Sequence, residues 1–229
     1  MRVPCTQGPL ADGQKVFTKD GRPQYGARQM RSLTDILYNF HWIVPGEAAR
    51  AAQAYGGGLG PFLRRHGIRT VINLRGANPD WRWWHYERRA CTREGVVHVD
   101  VMLSSKHLPA RAMLLELLAA FAHNPRPLLL KCSGGQDRTS LAAALFILYH
   151  EGWQGEAAAL AQFARWPYLH LPKPYQRWLR LFVVYAKEAG QGRDLTSFLQ
   201  QDYTATAFQA WLDGRGERSA YRNVYREAS

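Results

Sequence analysis

Residues 128–141 read Leu-Leu-Leu-Lys-Cys-Ser-Gly-Gly-Gln-Asp-Arg-Thr-Ser-Leu. An apolar run enters a glycine-containing loop, and the loop opens onto a second apolar run, Leu141 to Tyr149. The pattern predicts a strand buried on both faces, a tight turn and a buried helix. Such a loop directs its backbone N–H groups, with those of the helix's first turn, at one point, where the helix dipole adds partial positive charge. Cys132 stands at the carboxyl end of the strand, where open α/β sheets hold their sites. There the loop amides, the helix terminus and the Arg138 cation all favour thiolate, so the thiol is expected to ionise below its free pKa of about 8.5. Arg138 presents a two-pronged grip for phosphoryl oxygens. Ser133, Gly134, Gly135, Gln136, Asp137 and Thr139 supply the rest of a phosphate cradle, and the two glycines allow close backbone approach. A thiolate under a bound phosphoryl group is set for in-line attack, and Thr139 or Ser140 offers the sulfur a hydroxyl when it leaves. The other cysteines lack this setting, since six residues after Cys5 comes Ala11 and six after Cys91 comes Val97.

The elements that must carry this loop alternate. Asn39–Pro45, Thr70–Leu74, Val96–Leu103 and Leu128–Leu130 read as strands, and Glu47–His66, Trp81–Glu94, Pro109–His123 and Leu141–His150 as helical segments, the first interrupted by Gly56–Gly58. Strands alternating with helices imply an α/β fold with a central, mostly parallel sheet flanked by helices. Past Gly152 the chain reads as further helices (Glu156–Ala164, Pro174–Ala189, Thr196–Leu199 and Ala205–Leu212), taken as a cap at the sheet's far end. Residues 1–32 are rich in glycine, proline and charge and read as an N-terminal arm. The basic and aromatic stretch Tyr221–Arg226 reads as a solvated tail.

Of 229 residues, 46% are hydrophobic and 12% aromatic, which excludes a disordered chain. The 30 Lys+Arg outnumber the 18 Asp+Glu to give a formal charge of +12, and 24 of the 30 are arginine. That field gathers anions, whether phosphorylated substrates, nucleic acid or a peripheral acidic membrane surface. Three cysteines exclude a fully paired disulfide framework. Neither they nor the eight histidines show metal-ligand spacing, so no metal and no cofactor are expected. No nucleotide-binding glycine fingerprint is present, which argues against a kinase or dehydrogenase. The amino terminus lacks a signal-peptide core, and the longest apolar run is too short to cross a bilayer, so a soluble cytoplasmic protein is expected.

Cys132-Ser-Gly-Gly-Gln-Asp-Arg138-Thr139 resembles the Cys-x5-Arg-Ser/Thr loop of protein tyrosine and dual-specificity phosphatases. The Asp-Arg-Thr ending is similar to that of myotubularin-type and bacterial lipid-and-protein phosphatases. Gly67-Ile-Arg-Thr-Val-Ile-Asn-Leu-Arg75, followed by a helix, a strand and the loop, resembles the compact atypical dual-specificity phosphatases of bacteria, fungi and plants. The resemblance spans roughly residues 37–152, within a phosphatase domain expected at 33–190 and ahead of a helical extension at 191–229. It implies Cys132 as nucleophile, Arg138 as phosphate clamp, and phosphotyrosine or phosphoserine/threonine proteins as substrates. The family usually has histidine before the cysteine. Here Lys131 stands there, a cation expected to favour the thiolate by charge alone.

The resemblance also implies an aspartate that protonates the leaving oxygen from a separate loop about thirty residues earlier. Asp100 has that separation, although alternation through Val97, Val99 and Val101 sets it within a strand. Asp137 inside the loop, His107 and Asp80 are the alternatives. Trp81, Trp83 and Trp84, with Arg82 between them, read as a helix that buries two Trp faces and exposes one, with a stacking surface near the substrate as the alternative. Other readings of the same scaffold are a phosphoinositide phosphatase, an RNA 5′-triphosphatase that needs no acid, and a catalytically dead phospho-binding module. A rhodanese-like sulfurtransferase fits less well, because its loop is not closed by Arg-Thr at this spacing.

Overall fold

A computed structural model describes residues 32–55, 57–221, 223 and 224. Residues 1–31, which include Cys5 and nearly all of the expected arm, lie outside them, as do Arg222, Tyr225 and Arg226 of the tail. The chain begins with the short helix α1 (Leu33–Leu37), capped by the Ser32 hydroxyl on the Asp35 N–H. Strands β1 (His41–Val44) and β2 (Ala48–Ala51) follow, then α2 (Leu59–Arg65), β3 (Thr70–Asn73), α3 (Arg82–Glu94) and β4 (Val97–Asp100). After these come β5 (His107–Leu108), α4 (Arg111–His123), β6 (Leu128–Lys131) and α5 (Asp137–Glu151). Helices α6 (Glu156–Ala161), α7 (Trp178–Gly190), α8 (Leu195–Gln201) and α9 (Ala205–Gly214) precede a two-residue strand β7 (Asn223–Val224), which pairs with β5.

The main sheet runs in the order β1-β2-β6-β3-β4, parallel except for β1. The expected α/β architecture is present. Strand β6 lies at its centre with all four residues buried, as its unbroken apolar run requires. Alternation divides its side chains between two cores. Leu128, Leu130 and Cys132 join the cluster formed with α4, α5 and α7, while Leu129 faces the cluster of α2 and α3. Helix α5 is buried along Leu141–Leu148, which explains why its sequence shows no polar face.

Four expectations need correction. Ala48–Ala51 is a strand, not a helix: the alanine-rich segment is fully buried and hydrogen-bonds along β6, so pairing overrides helix propensity. Strand β4 ends at Asp100, with Met102 held only by an isolated bridge to Arg75. Helix α5 begins at Asp137, so the loop's last residues already form its first turn. The terminal helices are also placed differently. Trp178, Phe182, Phe198 and Phe208 belong to the α4–α5 core, so these helices form an outer layer on one face of the sheet.

Candidate active site

Two cysteines are buried and free among the described residues, and they behave oppositely. Burial pushes the Cys91 thiol up to about 12, and the nearby Glu87 carboxylate adds to the rise. Cys132 is 4% exposed, and burial pushes it up as well. There the Arg138 charge, the Thr139 hydroxyl and the backbone N–H groups of Thr139 and Gln136 together outweigh burial, and the thiol lies below its ordinary value. The Thr139 side chain is buried, and its hydroxyl is one of the groups that lower the thiol. The Ser140 hydroxyl is occupied elsewhere, accepting from Arg50 at 2.8 Å.

Arg138, half-buried in the first turn of α5, forms no ion pair among the described residues. Ser133 and Gly134 of the same loop are exposed. Gly135 is buried with φ +64°, and a Cβ there would lie 2.6 Å from the backbone nitrogen of Ala52. The left-handed turn therefore lets the loop press against the end of β2.

The loop is braced from behind by residues whose sequence context signals no function. Arg50 on β2 is fully buried. It donates to the Gly135 carbonyl (2.9 Å), the Ser140 hydroxyl (2.8 Å), and the backbone and side-chain oxygens of Gln162 (3.0 and 2.9 Å), and it stacks 4.2 Å from the Tyr168 ring. Burial lowers its pKa to about 10, against the attraction of Tyr168 and Cys132. Asn39, itself at φ +48°, donates to the Tyr168 carbonyl at 3.0 Å and lies 3.4 Å from that of Gly135. A lone arginine among alanines was the one available signal for Arg50. For Asn39 there was none.

Lys131 does not act as its position in the sequence suggests. Alternation turns it away from Cys132 toward α3, where Nζ pairs with Glu87 at 2.6 Å and donates to Gln53 Oε1 at 2.8 Å. His98 holds the other Glu87 oxygen at 2.8 Å. The lysine charge is thus compensated within a buried network, and the groups that chiefly lower Cys132 are Arg138, Thr139 and Gln136.

The two candidate acids occupy different surroundings. Asp100 closes β4 in register with Asn73, which is in register with Lys131, so two strand spacings separate it from β6, the strand that leads to Cys132. Its carboxylate accepts from Asn73 Nδ2 at 2.6 Å and from Trp84 Nε1 at 3.0 and 3.1 Å, on the α3 side of the sheet. Asp137 accepts from Gln176 Nε2 at 3.0 Å. Its other oxygen faces His170 Nε2 at 3.5 Å. His170 Nδ1 lies 3.2 Å from the Phe163 carbonyl, which can only accept, so Nδ1 carries the hydrogen. Burial lowers the pKa of His170, and the neutral ring offers Asp137 a bare Nε2. The structure thus brings Cys132, Asp137, Arg138 and Thr139 together on one loop and holds Asp100 apart from them. His107 pairs within β5, and Asp80 is exposed before α3.

No family model and no curated protein sequence matches the chain. Among solved structures it is similar to TpbA of P. aeruginosa, with 20% identity over 72% of this chain and 90% of the other, at a TM-score of 0.48. It is similar to the core catalytic domain of the PP-IP phosphatase SIW14 from S. cerevisiae, with 14% identity, 78% and 93% coverage and a TM-score of 0.48. PTPMT1 aligns at 16% identity, covering 75% of this chain and 99% of its own, with a TM-score of 0.48.

Among the described residues no helix is long and apolar enough to cross a membrane, and no cluster of three or more metal-ligating side chains occurs.

Proposed function

We propose that the protein is a cysteine-dependent phosphatase that hydrolyses phosphate monoesters through a phosphocysteine intermediate. One observation carries this reading: of the two buried thiols among the described residues, Cys132 alone sits in a loop at a helix N-terminus beside an arginine, Arg138, that forms no ion pair among those residues. The Cys132 sulfur attacks phosphorus, an S–P bond forms, and the ester P–O bond breaks with its electron pair leaving on oxygen. Arg138 and the amides of Ser133 to Thr139 hold the three equatorial oxygens. The leaving oxygen takes a proton from an aspartic acid. Water then attacks phosphorus, the S–P bond breaks, and inorganic phosphate and thiolate are regenerated, with the Thr139 hydroxyl easing the sulfur's departure.

Asp137 is the acid this geometry favours. The carboxylate oxygens of Asp100 are occupied by Trp84 and Asn73, away from the loop. Asp137 lies on the same loop as Cys132 and Arg138, with one oxygen held by Gln176 and the other 3.5 Å from His170 Nε2. Substrates are phosphotyrosine or phosphoserine/threonine proteins in the cytoplasm, where the thiol stays reduced. Residues 33–190 form the phosphatase domain, and 191–229 form its helical extension.

Cys132→Ser is expected to abolish turnover of p-nitrophenyl phosphate while still binding vanadate, because a neutral hydroxyl is a far weaker nucleophile than a thiolate. Arg138→Lys should lose roughly a hundredfold in kcat/KM, since one ammonium cannot reproduce a bidentate grip. Substantial turnover by Cys132→Ser overturns the assignment.

A further inference from the structure

Beside the loop, on the α3 side of the sheet, lies a cleft of about 520 Å³ lined by Tyr55, Arg82, Trp83, His85, Tyr86 and Arg89. It adjoins the loop through two connections. The Gln53 N–H, two residues before Tyr55, donates to the Ser133 carbonyl at 3.0 Å. The Trp83 ring lies 5.1 Å from Nζ of Lys131, the residue before Cys132. No carboxylate lines the cleft, and Arg82 and Arg89 are exposed and form no ion pair among the described residues. The Arg75 guanidinium stacks 3.6 Å from the Trp83 ring. One Arg75 guanidinium nitrogen and the Trp83 indole nitrogen are buried donors with no partner among the described residues. A cleft walled by two exposed arginines and no carboxylate suits an anion.

We infer that this cleft is a subsite for a second phosphate of the substrate, held beside the phosphoryl group under attack at Cys132. Arg82 and Arg89 supply the charge, and Tyr55, Trp83 and Tyr86 cover the scaffold that joins the two phosphates. The inference rests on the phosphatase reading and narrows it to substrates carrying at least two phosphates. That chemistry is found on clustered phosphorylated side chains and on polyphosphorylated small molecules alike.

The test is equilibrium binding in the Cys132→Ser background, where nothing turns over. One arm compares peptides bearing one or two phosphotyrosines. The other compares inositol 1-phosphate with inositol hexakisphosphate. In at least one arm the multiply phosphorylated probe should bind at least roughly tenfold tighter, and Arg82→Ala with Arg89→Ala should reduce that gain to below about twofold. The arm that shows the gain identifies the source of the second phosphate. Arg193→Ala with Arg215→Ala, which removes the same charge from the terminal helical region, should leave the gain intact and so separate a site from a general field. A gain absent from both arms, or one that survives loss of both arginines, overturns the subsite. Failure of the wild type to hydrolyse p-nitrophenyl phosphate overturns the phosphatase reading instead.

Discussion

The guanidinium of Arg50 reaches the Gly135 carbonyl from behind the loop at 2.9 Å, fully buried and without a carboxylate partner among the described residues. A buried charge without an ion pair is costly, and the Cys132 thiolate is among the groups that offset it. Arg50→Gln is therefore expected to raise the Cys132 pKa and to lower kcat/KM by roughly ten- to a hundredfold. The check is the pH dependence of Cys132 alkylation by iodoacetamide, which should move to higher pH. An unmoved profile in a folded variant would reduce Arg50 to a strut.

Gly135 and Gly134 should respond differently to alanine. At Gly135 the backbone is left-handed and a Cβ would strike the backbone of Ala51 and Ala52 at 2.6–2.9 Å, so Gly135→Ala should cost roughly 2 kcal/mol or more and most of the activity. At Gly134 the nearest atom is Gln136 Cδ at 3.5 Å, an ordinary contact, and Gly134→Ala should melt close to the wild type. Thermal denaturation of the two variants side by side tests the contrast.

Glu87 links stability to pH. Burial pushes its carboxyl up, but His98 and Lys131 outweigh burial and hold it below its ordinary value of 4.5. A carboxylate depressed in the folded state stabilises fully above the unfolded pKa and loses that contribution as pH falls through the folded one. Glu87→Gln leaves Lys131 buried without its counter-charge, and a loss of about 3–5 kcal/mol is expected at pH 7. Urea unfolding from pH 7 to pH 3 should show the gap between the two proteins narrowing below about pH 4.5. A gap independent of pH would mean that the pair contributes through packing alone.

The acid is distinguished by leaving groups. If Asp137 supplies the proton, Asp137→Asn should slow alkyl phosphates far more than p-nitrophenyl phosphate, whose leaving oxygen is already stable as an anion. The basic limb of the pH–rate profile should flatten in the same variant. Asp100→Asn should disturb mainly the anchoring of Trp84 and Asn73 and affect all substrates alike. The opposite pattern assigns the proton to Asp100.

Much of the site was readable in one dimension because its parts are neighbours in the chain. A strand's carboxyl end, two glycines and a helix's first turn bring Cys132, Arg138 and Thr139 together by local geometry, and no distant contact is needed. The α/β alternation was legible for the same reason, since hydrophobic period reflects local burial. Ala48–Ala51 was not: an alanine-rich segment favours helix on its own, and only hydrogen bonding to β6 makes it a strand. That misreading also concealed Arg50, which reaches the loop only because β2 lies beside β6. Lys131 shows the limit most plainly. Next to Cys132 in sequence, it suggested a cation acting on the thiol, yet successive strand residues point to opposite faces, and the fold gives its charge to Glu87 on α3. Chain order alone places Cys132, Arg138 and Thr139 on one strand-loop-helix segment. Tertiary structure decided which charges face them, because that depends on which strands pair and which face each side chain takes.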